Sequence, residues 1–174
     1  MSLAAKTVAF TLVFLTVNLE ERNLALDGTA SQVDTLSSYE ASLAIDDAYG
    51  RFSHTRSKGL SAWWLLTLKN RALIREIKIY NRMECCQHRI DGATVWIGDN
   101  LIGGNYEGAV AVGTVQYEKG KTTYIFSEID KAGSSVEIQG GPITETVPDK
   151  NLHMLEVQVY GCLNTASQGQ KGWK

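Results

Sequence analysis

The chain has 174 residues, 44% hydrophobic and 21% charged, a composition that supports one globular domain with a buried core. Its 17 basic and 19 acidic residues are mixed along the sequence and give a formal net charge of −2. Because no basic segment stands out, this balance argues against a nucleic-acid partner.

The first twenty residues differ in composition from the rest. Lys6 precedes an apolar run, residues 8–17, and acidic residues follow it. About ten apolar residues are too few to span a bilayer but suit the core of a secretory signal peptide, with a buried N-terminal strand as the alternative. We therefore expect a signal peptide over residues 1–20 with an undefined cleavage site, a domain over 21–163 and a C-terminal tail over 164–174. Secretion would place the cysteines in an oxidising, extracellular compartment.

Short β-strand patterns follow one another along the rest of the chain. A single helical pattern, 41–49, precedes strands at 63–68 and 74–80, which a polar turn at 69–71 separates. Further strands are predicted at 94–97, 110–115, 122–126, 136–138 and 155–160. Because no strand–helix–strand alternation occurs, the pattern predicts an all-β fold, an antiparallel β-sandwich or jelly roll. Its core is expected to include Trp63, Trp64 and Trp96.

Two of the three cysteines, Cys85 and Cys86, are adjacent in the sequence. A disulfide between them would be strained, because neighbouring Cα atoms lie about 3.8 Å apart and a relaxed disulfide spans roughly 4.4–6.8 Å. Alternatively, one of them pairs with Cys162, or both remain thiols. A ring that closes almost no loop adds little stability, so its value would be rigidity at a surface. Flanked by Arg82 and Arg89, the segment is typical of a ligand platform.

The segment 82–89, Arg-Met-Glu-Cys-Cys-Gln-His-Arg, resembles the Arg-x-Asp-Cys-Cys-x-x-Arg signature of the F-type lectins, or fucolectins. In that family a histidine precedes the signature by somewhat over two dozen residues, and here 27 residues separate His54 from Arg82. The resemblance covers most of residues 23–161, including 23–32, 44–46, 63–64, 95–98 and 156–161. It implies a discoidin-like, galactose-binding-domain-like jelly roll that binds L-fucose without catalysis.

The resemblance also implies a carbohydrate site. His54, Arg82 and Arg89 would grip the ring oxygen and the 3- and 4-hydroxyls, and a Cys85–Cys86 disulfide would pack against the carbon edge of the sugar. The planar guanidinium of arginine presents several donors that meet neighbouring oxygens, and neutral histidine adds one directed hydrogen bond.

Several positions depart from the family pattern or extend it. Glu84 replaces the family aspartate, and we expect it to hold an arginine with altered geometry. Some members have a disulfide between the loop before the histidine and the final strand; the matching positions here are Phe52 and Leu155, whose contact would replace it. The pairing of Cys162 stays open, with a bond to another chain as one alternative. Candidate walls for the methyl group of fucose are Tyr39, Tyr49 and Phe52.

A structural calcium ion is a further implication of the resemblance. Asp46 and Glu156 match the acidic ligands of the family, and the remaining ligands would be carbonyl oxygens near Leu43, Ala48 and Arg51. Arg51 stands where a hydroxyl ligand can occur, which would lower the affinity. Alternatively, Asp46 caps the 41–49 turn and Glu156 faces solvent.

We therefore predict a secreted, calcium-stabilised lectin that recognises terminal L-fucose on glycans and does not insert into membranes. One shallow site binds weakly, so we expect a homo-oligomer that gains avidity. A role in innate immunity or cell adhesion is implied by the resemblance alone. One rival is a discoidin-like adhesion module for another sugar, a protein or a membrane surface. The enzyme rival uses Cys85 or Cys86 as nucleophile with His54 or His88 as base. A zinc site is disfavoured, because adjacent cysteines lack zinc-knuckle spacing.

Overall fold

The computed structural model describes residues 21–163, which are built almost entirely from β-strands joined by loops. The strands within this range are β1 (Arg22–Asn23), β2 (Thr29–Gln32), β3 (Ser53–Lys58), β4 (Trp63–Asn81), β5 (Thr94–Gly98), β6 (Val110–Thr114), β7 (Thr123–Phe126), β8 (Lys131–Gln139) and β9 (Asn151–Leu163). Short 3₁₀ helices lie at Ala25–Asp27, Ala41–Ala44, Gly59–Ser61 and Gln87–Ile90. The predicted signal peptide and C-terminal tail lie outside the described residues. Within residues 21–163, no helix is long and apolar enough to cross a membrane.

Strand β4 continues through the segment where the sequence predicts a turn. Lys69, Asn70 and Arg71 lie inside this 19-residue strand, so the predicted turn is wrong. The pairing of β4 with β8 shifts register between Thr67 and Ala72, and the three polar residues are exposed there. The irregularity gives the polar side chains access to solvent, so the strand does not need to end.

The two halves of β4 belong to different groups of strands. The first half pairs with β2 and β8, and β8 continues to β5 and then β6. The second half pairs with β7 and β9, and β9 also pairs with β1 and β3. All of these pairings are antiparallel, which confirms the predicted all-β antiparallel architecture.

Alternate residues of the central strands form the core, as the period of two along a strand requires. Trp64 is fully buried, and its indole Nε1 donates a hydrogen bond of 3.0 Å to the Ala41 carbonyl, which fixes the first 3₁₀ helix after β2. Trp96 points away from the core side chains of β5 and packs at a tilt against Tyr106, with ring centroids 4.6 Å apart. The prediction that Trp96 is a core residue is therefore wrong. Trp63, at the start of β4, is also only half-buried. The other buried strand residues include Leu66, Ile77, Ile79, Val95, Ile97, Val136, Ile138, Val157 and Val159.

Strand pairing brings distant segments together at one end of the fold. His54 in β3 pairs with His153 in β9, and Asn81 at the end of β4 pairs with Met154. The loop that begins at Arg82 therefore starts beside β9, on the opposite side of that strand from His54. This arrangement places the histidine next to the signature loop, although 27 residues separate them in the sequence.

Candidate functional site

His54 is held as a neutral ring with one nitrogen available. Its side chain is buried, and Nδ1 lies 2.6 Å from the carbonyl oxygen of Thr55. Because a carbonyl only accepts, Nδ1 carries the proton, and Nε2 of the neutral ring is left as an acceptor. Burial lowers the pKa of His54, and the nearby charges of Arg89 and Arg82 lower it further. The ring is therefore prepared to accept a hydrogen bond at neutral pH.

The start of β3, which carries His54, is fixed by the half-buried amide of Gln32. The Nε2 of Gln32 lies 2.9 Å from the carbonyl oxygen of Tyr39 and 3.1 Å from that of His54. The His54 backbone N–H also donates to the Tyr39 carbonyl at 3.1 Å. These hydrogen bonds join β2, the following loop and β3, and so restrict the position of the imidazole.

Arg82 is fixed from two directions. Its guanidinium lies over the ring of Phe52, with Cζ 4.1 Å from the ring centroid, and its Nε donates to Oε1 of Glu84 at 2.7 Å. Cation–π and charge-assisted contacts of this kind set both the plane and the direction of the guanidinium. Glu84 thus contacts Arg82 in the way expected of an acid that replaces the family aspartate.

Arg89 is held by a carboxylate from another part of the chain. Its Nη2 donates to Oδ2 of Asp149 at 3.1 Å, and the Arg89 side chain is only 17% exposed. Asp149 also forms an ion pair with Nζ of Lys58. Neither Asp149 nor Lys58 belongs to the sequence signature, and sequence reasoning missed both.

Cys85 and Cys86 lie in the loop between Arg82 and Arg89. Cys86 has a left-handed backbone conformation with φ of 62° and precedes the 3₁₀ helix Gln87–Ile90, and its carbonyl accepts a hydrogen bond of 3.0 Å from the Arg89 N–H. The structure has the two cysteines as thiols, with Cys85 exposed. A hydrogen bond to the Cys86 thiol and burial raise the pKa of Cys85. The predicted Cys85–Cys86 disulfide is therefore not formed in this structure and stays a prediction.

His153 is a second buried histidine that sequence reasoning missed. Its ring centroid lies 5.3 Å from that of His54, and among the described residues neither ring nitrogen forms a hydrogen bond of good geometry, although the backbone of Cys86 lies close by. Burial, followed by the charge of His54, lowers the pKa of His153 to about 3. The ring stays neutral and packs against the ring of His54 inside the fold.

The candidate walls for a sugar methyl group differ in their availability. Phe52 is stacked on Tyr39, with ring centroids 4.5 Å apart, and carries Arg82 on its ring. Phe52 therefore supports the arginine and offers no open ring face. Tyr39 is half-buried near His54, and Tyr49 packs edge-on against Tyr80. Tyr39 is thus the aromatic residue of the three that combines proximity to His54 with partial exposure.

The proposed replacement of a disulfide by an apolar contact has support only from the strand register. Ser53 pairs with Met154, so the next position along the antiparallel strands places Phe52 opposite Leu155. Phe52 is 9% exposed and Leu155 is half-buried. The apolar contact between Phe52 and Leu155 in place of a disulfide therefore stays a prediction.

A separate acidic site lies between β9 and the loop before β3. Glu156 is fully buried, and neither of its carboxylate oxygens accepts a hydrogen bond of good geometry from residues 21–163, although the backbone N–H groups of Asp47 and Asp46 lie close enough to lower its pKa in part. Burial raises its pKa to about 8, and the charges of Asp46 and Asp47 act in the same direction. A buried carboxylate without a donor is unfavourable unless a proton or a cation neutralises it.

Asp46 faces this site but is also paired with an arginine. Its Oδ1 accepts a hydrogen bond of 3.0 Å from the Ala48 N–H, and its Oδ2 lies 3.2 Å from Nη2 of Arg51. No described hydrogen bond ends on the carbonyl oxygens of Leu43, Ala48 or Arg51. Within the described residues, no three His, Cys, Asp or Glu side chains converge on one point. A calcium ion here would therefore depend on the backbone carbonyls as well as on Asp46 and Glu156.

The side chains of His54, Arg82 and Arg89 together suit a neutral ligand rich in hydroxyl groups. Arg82 and Arg89 supply donors, and His54 supplies an acceptor. Because each arginine already has a carboxylate partner, their charges are largely compensated. This pattern favours hydrogen bonding to a polyol over the binding of a strongly anionic ligand.

Comparison with known proteins agrees with this chemistry. The family model for the NedA-like, galactose-binding domain matches residues 43–137. The fucolectin of Anguilla anguilla is 30% identical over 151 residues, which cover 80% of this chain and 90% of that protein. The pentraxin fusion protein of Xenopus laevis is 31% identical over 123 residues, covering 70% of this chain.

A solved structure shows the same similarity in three dimensions. The fucolectin from the serum of striped bass, Morone saxatilis, superposes with a TM-score of 0.70 at 28% identity, and the match covers 82% of this chain. The matched region spans 48% of the striped bass chain and 27% of the pentraxin fusion protein. This chain also spans about half the length of Fucolectin-4 of Anguilla japonica.

Proposed function

The chain belongs to the F-type lectin, or fucolectin, family of non-catalytic carbohydrate-binding proteins, and we propose that it binds terminal L-fucose on glycans. The similar proteins from eel and striped bass are fucolectins, and this supports fucose as the sugar. In this proposal the ligand is held by hydrogen bonds and apolar contact alone.

One observation carries the proposal: two oriented guanidinium groups lie close enough to a neutral imidazole acceptor for their charges to lower its pKa. Arg82 and Arg89 would donate to neighbouring oxygens of the sugar, and Nε2 of His54 would accept from a hydroxyl. Each of the three side chains is fixed by a partner before the ligand arrives. Such preorganisation reduces the entropic cost of binding a small ligand.

The two cysteines complete the proposed site in an oxidising compartment. A bond between Cys85 and Cys86 would remove two thiols and place a rigid apolar surface between the arginines, against the carbon edge of the sugar. Extracellular location is supported by the serum origin of the similar striped bass fucolectin. We therefore include secretion and the Cys85–Cys86 disulfide in the proposal.

Calcium would stabilise the loop that leads to His54. The residues present fit the ion, because Glu156 has two buried oxygens that lack a hydrogen bond of good geometry and Asp46 is close enough to raise its pKa. Asp46, Glu156 and the carbonyl oxygens of Leu43, Ala48 and Arg51 would hold it. The ion would supply the positive charge that neutralises these carboxylates and ties β9 to the loop before β3.

Avidity is a further element of the proposal. A single shallow site for one monosaccharide has few contacts, so affinity per site is low. A homo-oligomer that presents several sites to a glycan-bearing surface would raise the overall affinity without new contacts.

The proposal is tested by retention of the oxidised protein on immobilised L-fucose, with free L-fucose as eluent. We expect retention for the native chain and loss of retention for Arg82→Ala and Arg89→Ala. The matched control is Arg71→Ala, because Arg71 is also ion-paired, through Asp99, but contacts none of the site residues. Passage of folded native protein through the column, or retention of both arginine variants, would overturn the proposal. Retention on galactose instead would favour the adhesion-module rival.

A further inference from the structure

Asp149 lies outside the sequence signature but contacts one of the two signature arginines. We propose that Asp149 is a positioning residue that orients the guanidinium of Arg89 toward the sugar. This inference rests on the proposed function. Its carboxylate accepts a hydrogen bond from Arg89, as the carboxylate of Glu84 does from Arg82.

The acid next to the cysteines serves only one arginine. Glu84 accepts from Nε of Arg82 at 2.7 Å, and no described contact joins Glu84 to Arg89. The carboxylate that contacts Arg89 among residues 21–163 is that of Asp149, through Oδ2 at 3.1 Å. Arg89 would therefore lose its ion-pair partner if Asp149 were replaced.

The Asp149 carboxylate is itself held in place. Its Oδ1 forms an ion pair with Nζ of Lys58 in β3. The hydrogen bond from Lys58 and the charges of Lys58 and Arg89 lower the pKa of Asp149, so the group stays ionised at neutral pH.

The backbone beneath the carboxylate is anchored by the next residue. Lys150 is 2% exposed, and its Nζ donates to the carbonyl oxygen of Asp91 at 2.9 Å. The Lys150 carbonyl accepts a hydrogen bond of 2.9 Å from the Gly59 N–H. Asp149 is therefore presented to Arg89 from a fixed position between β3 and the start of β9.

The contact leaves most of the guanidinium free for a ligand. A guanidinium has five N–H donors in one plane, and Asp149 occupies one of those on Nη2. Fixing one donor sets the plane in which the remaining donors point. Asp149 thus determines the direction from which Arg89 approaches the sugar, without contacting the sugar itself.

The test compares Asp149→Asn and Asp149→Ala with the native chain by isothermal titration with L-fucose. We expect the dissociation constant to rise roughly 3- to 5-fold, the size typical of a half-exposed charge pair, and to recover in Asp149→Glu. The matched control is Asp99→Asn. Asp99 is similarly exposed and bonds Nε of Arg71 at 2.9 Å, and no described contact joins this pair to the site.

A second measurement separates positioning from a general structural role. The side-chain nitrogen resonances of Arg89 should show slow rotation of the guanidinium in the native chain and fast rotation in Asp149→Asn, with an unchanged denaturant midpoint. Native fucose affinity in Asp149→Asn and Asp149→Ala, or an equal loss of affinity in Asp99→Asn, would overturn the positioning role while leaving the proposed lectin function intact. Failure of the native chain to bind fucose would overturn both.

Discussion

Replacement of Glu156 by glutamine gives a quantitative test of the buried acidic site. The carboxylate is fully buried without a hydrogen bond of good geometry, and burial raises its pKa to about 8 from an ordinary value of 4.5. In a chelator at pH 7, the folded state keeps a proton that the unfolded state has released. A raised pKa therefore contributes stability below pH 4.5 that is lost as the pH rises toward 8.

The size of this effect follows from the same two values. Between pH 4.5 and pH 7 the native chain loses about 1.4 kcal/mol of its free energy of unfolding per pH unit. The total is roughly 3 kcal/mol as an upper value. Glutamine resembles the protonated acid in shape and does not titrate. We therefore expect Glu156→Gln in EDTA at pH 7 to have a larger free energy of unfolding than the native chain, by up to about 3 kcal/mol.

Calcium should largely cancel the difference in stability between the two proteins. The native chain should gain about 2.7 kcal/mol at a calcium concentration of 100 times the dissociation constant, and Glu156→Gln should gain little. Urea unfolding followed by tryptophan fluorescence, in EDTA and in calcium, measures both effects. Below pH 4.5 in EDTA, the difference between the proteins should disappear.

Glu137 offers a matched control for this experiment. It is also fully buried and burial raises its pKa, but its Oε1 accepts a hydrogen bond of 2.8 Å from the Gly104 N–H. Glu137→Gln should keep the full response to calcium. The reasoning is refuted if Glu156→Gln is less stable than the native chain in EDTA, or if calcium stabilises both equally.

Three further predictions concern the calcium loop and the sugar site. Arg51→Ser removes a guanidinium 3.2 Å from Oδ2 of Asp46, so calorimetry should show calcium binding roughly 3- to 5-fold more tightly; unchanged affinity would contradict competition between the two cations. Burial lowers the pKa of His54, so its Nε2 remains an acceptor below pH 6.5. Fucose affinity should therefore stay constant from pH 8 to 6.5 and fall only at lower pH. A loss of affinity with a midpoint above pH 6.5 would count against His54 as the acceptor. Phe52→Leu removes the ring 4.1 Å from the Arg82 guanidinium and should weaken fucose binding about 3-fold by titration calorimetry, whereas Phe52→Tyr should keep native affinity.

Local patterns were sufficient to predict the fold class, and the resemblance to the F-type lectins indicated the signature loop. The period of two in β9 predicts that Val157 and Val159 share a face, and both are fully buried. The polar segment 69–71 was misleading, because polar residues indicate exposure, and an irregular stretch inside a long strand can be exposed as readily as a turn. Trp96 was misassigned for a related reason, since alternation alone does not say which face of β5 meets the core.

The supporting residues of the candidate site could not be found by such patterns. Asp149 is 60 residues from Arg89 in the sequence, and its flanking residues form no regular element. His153 precedes the segment in which alternation is evident. Their proximity to the signature depends on the register between β3 and β9, which pairs His54 with His153. Register is a property of two strands, so neither sequence segment alone contains it.

The uninterrupted course of β4 has a consequence for how the domain folds. Its first half pairs with residues 131–139 of β8, and its second half pairs with residues 154–163 of β9. These contacts join segments far apart in sequence, so a large part of the chain must be ordered before they form, which is typical of slow folding. Since one strand completes both groups, neither group has a full set of backbone partners without the other. The domain should therefore fold and unfold as one cooperative unit, and a fragment cut within β4 would expose unpaired strand edges that promote aggregation.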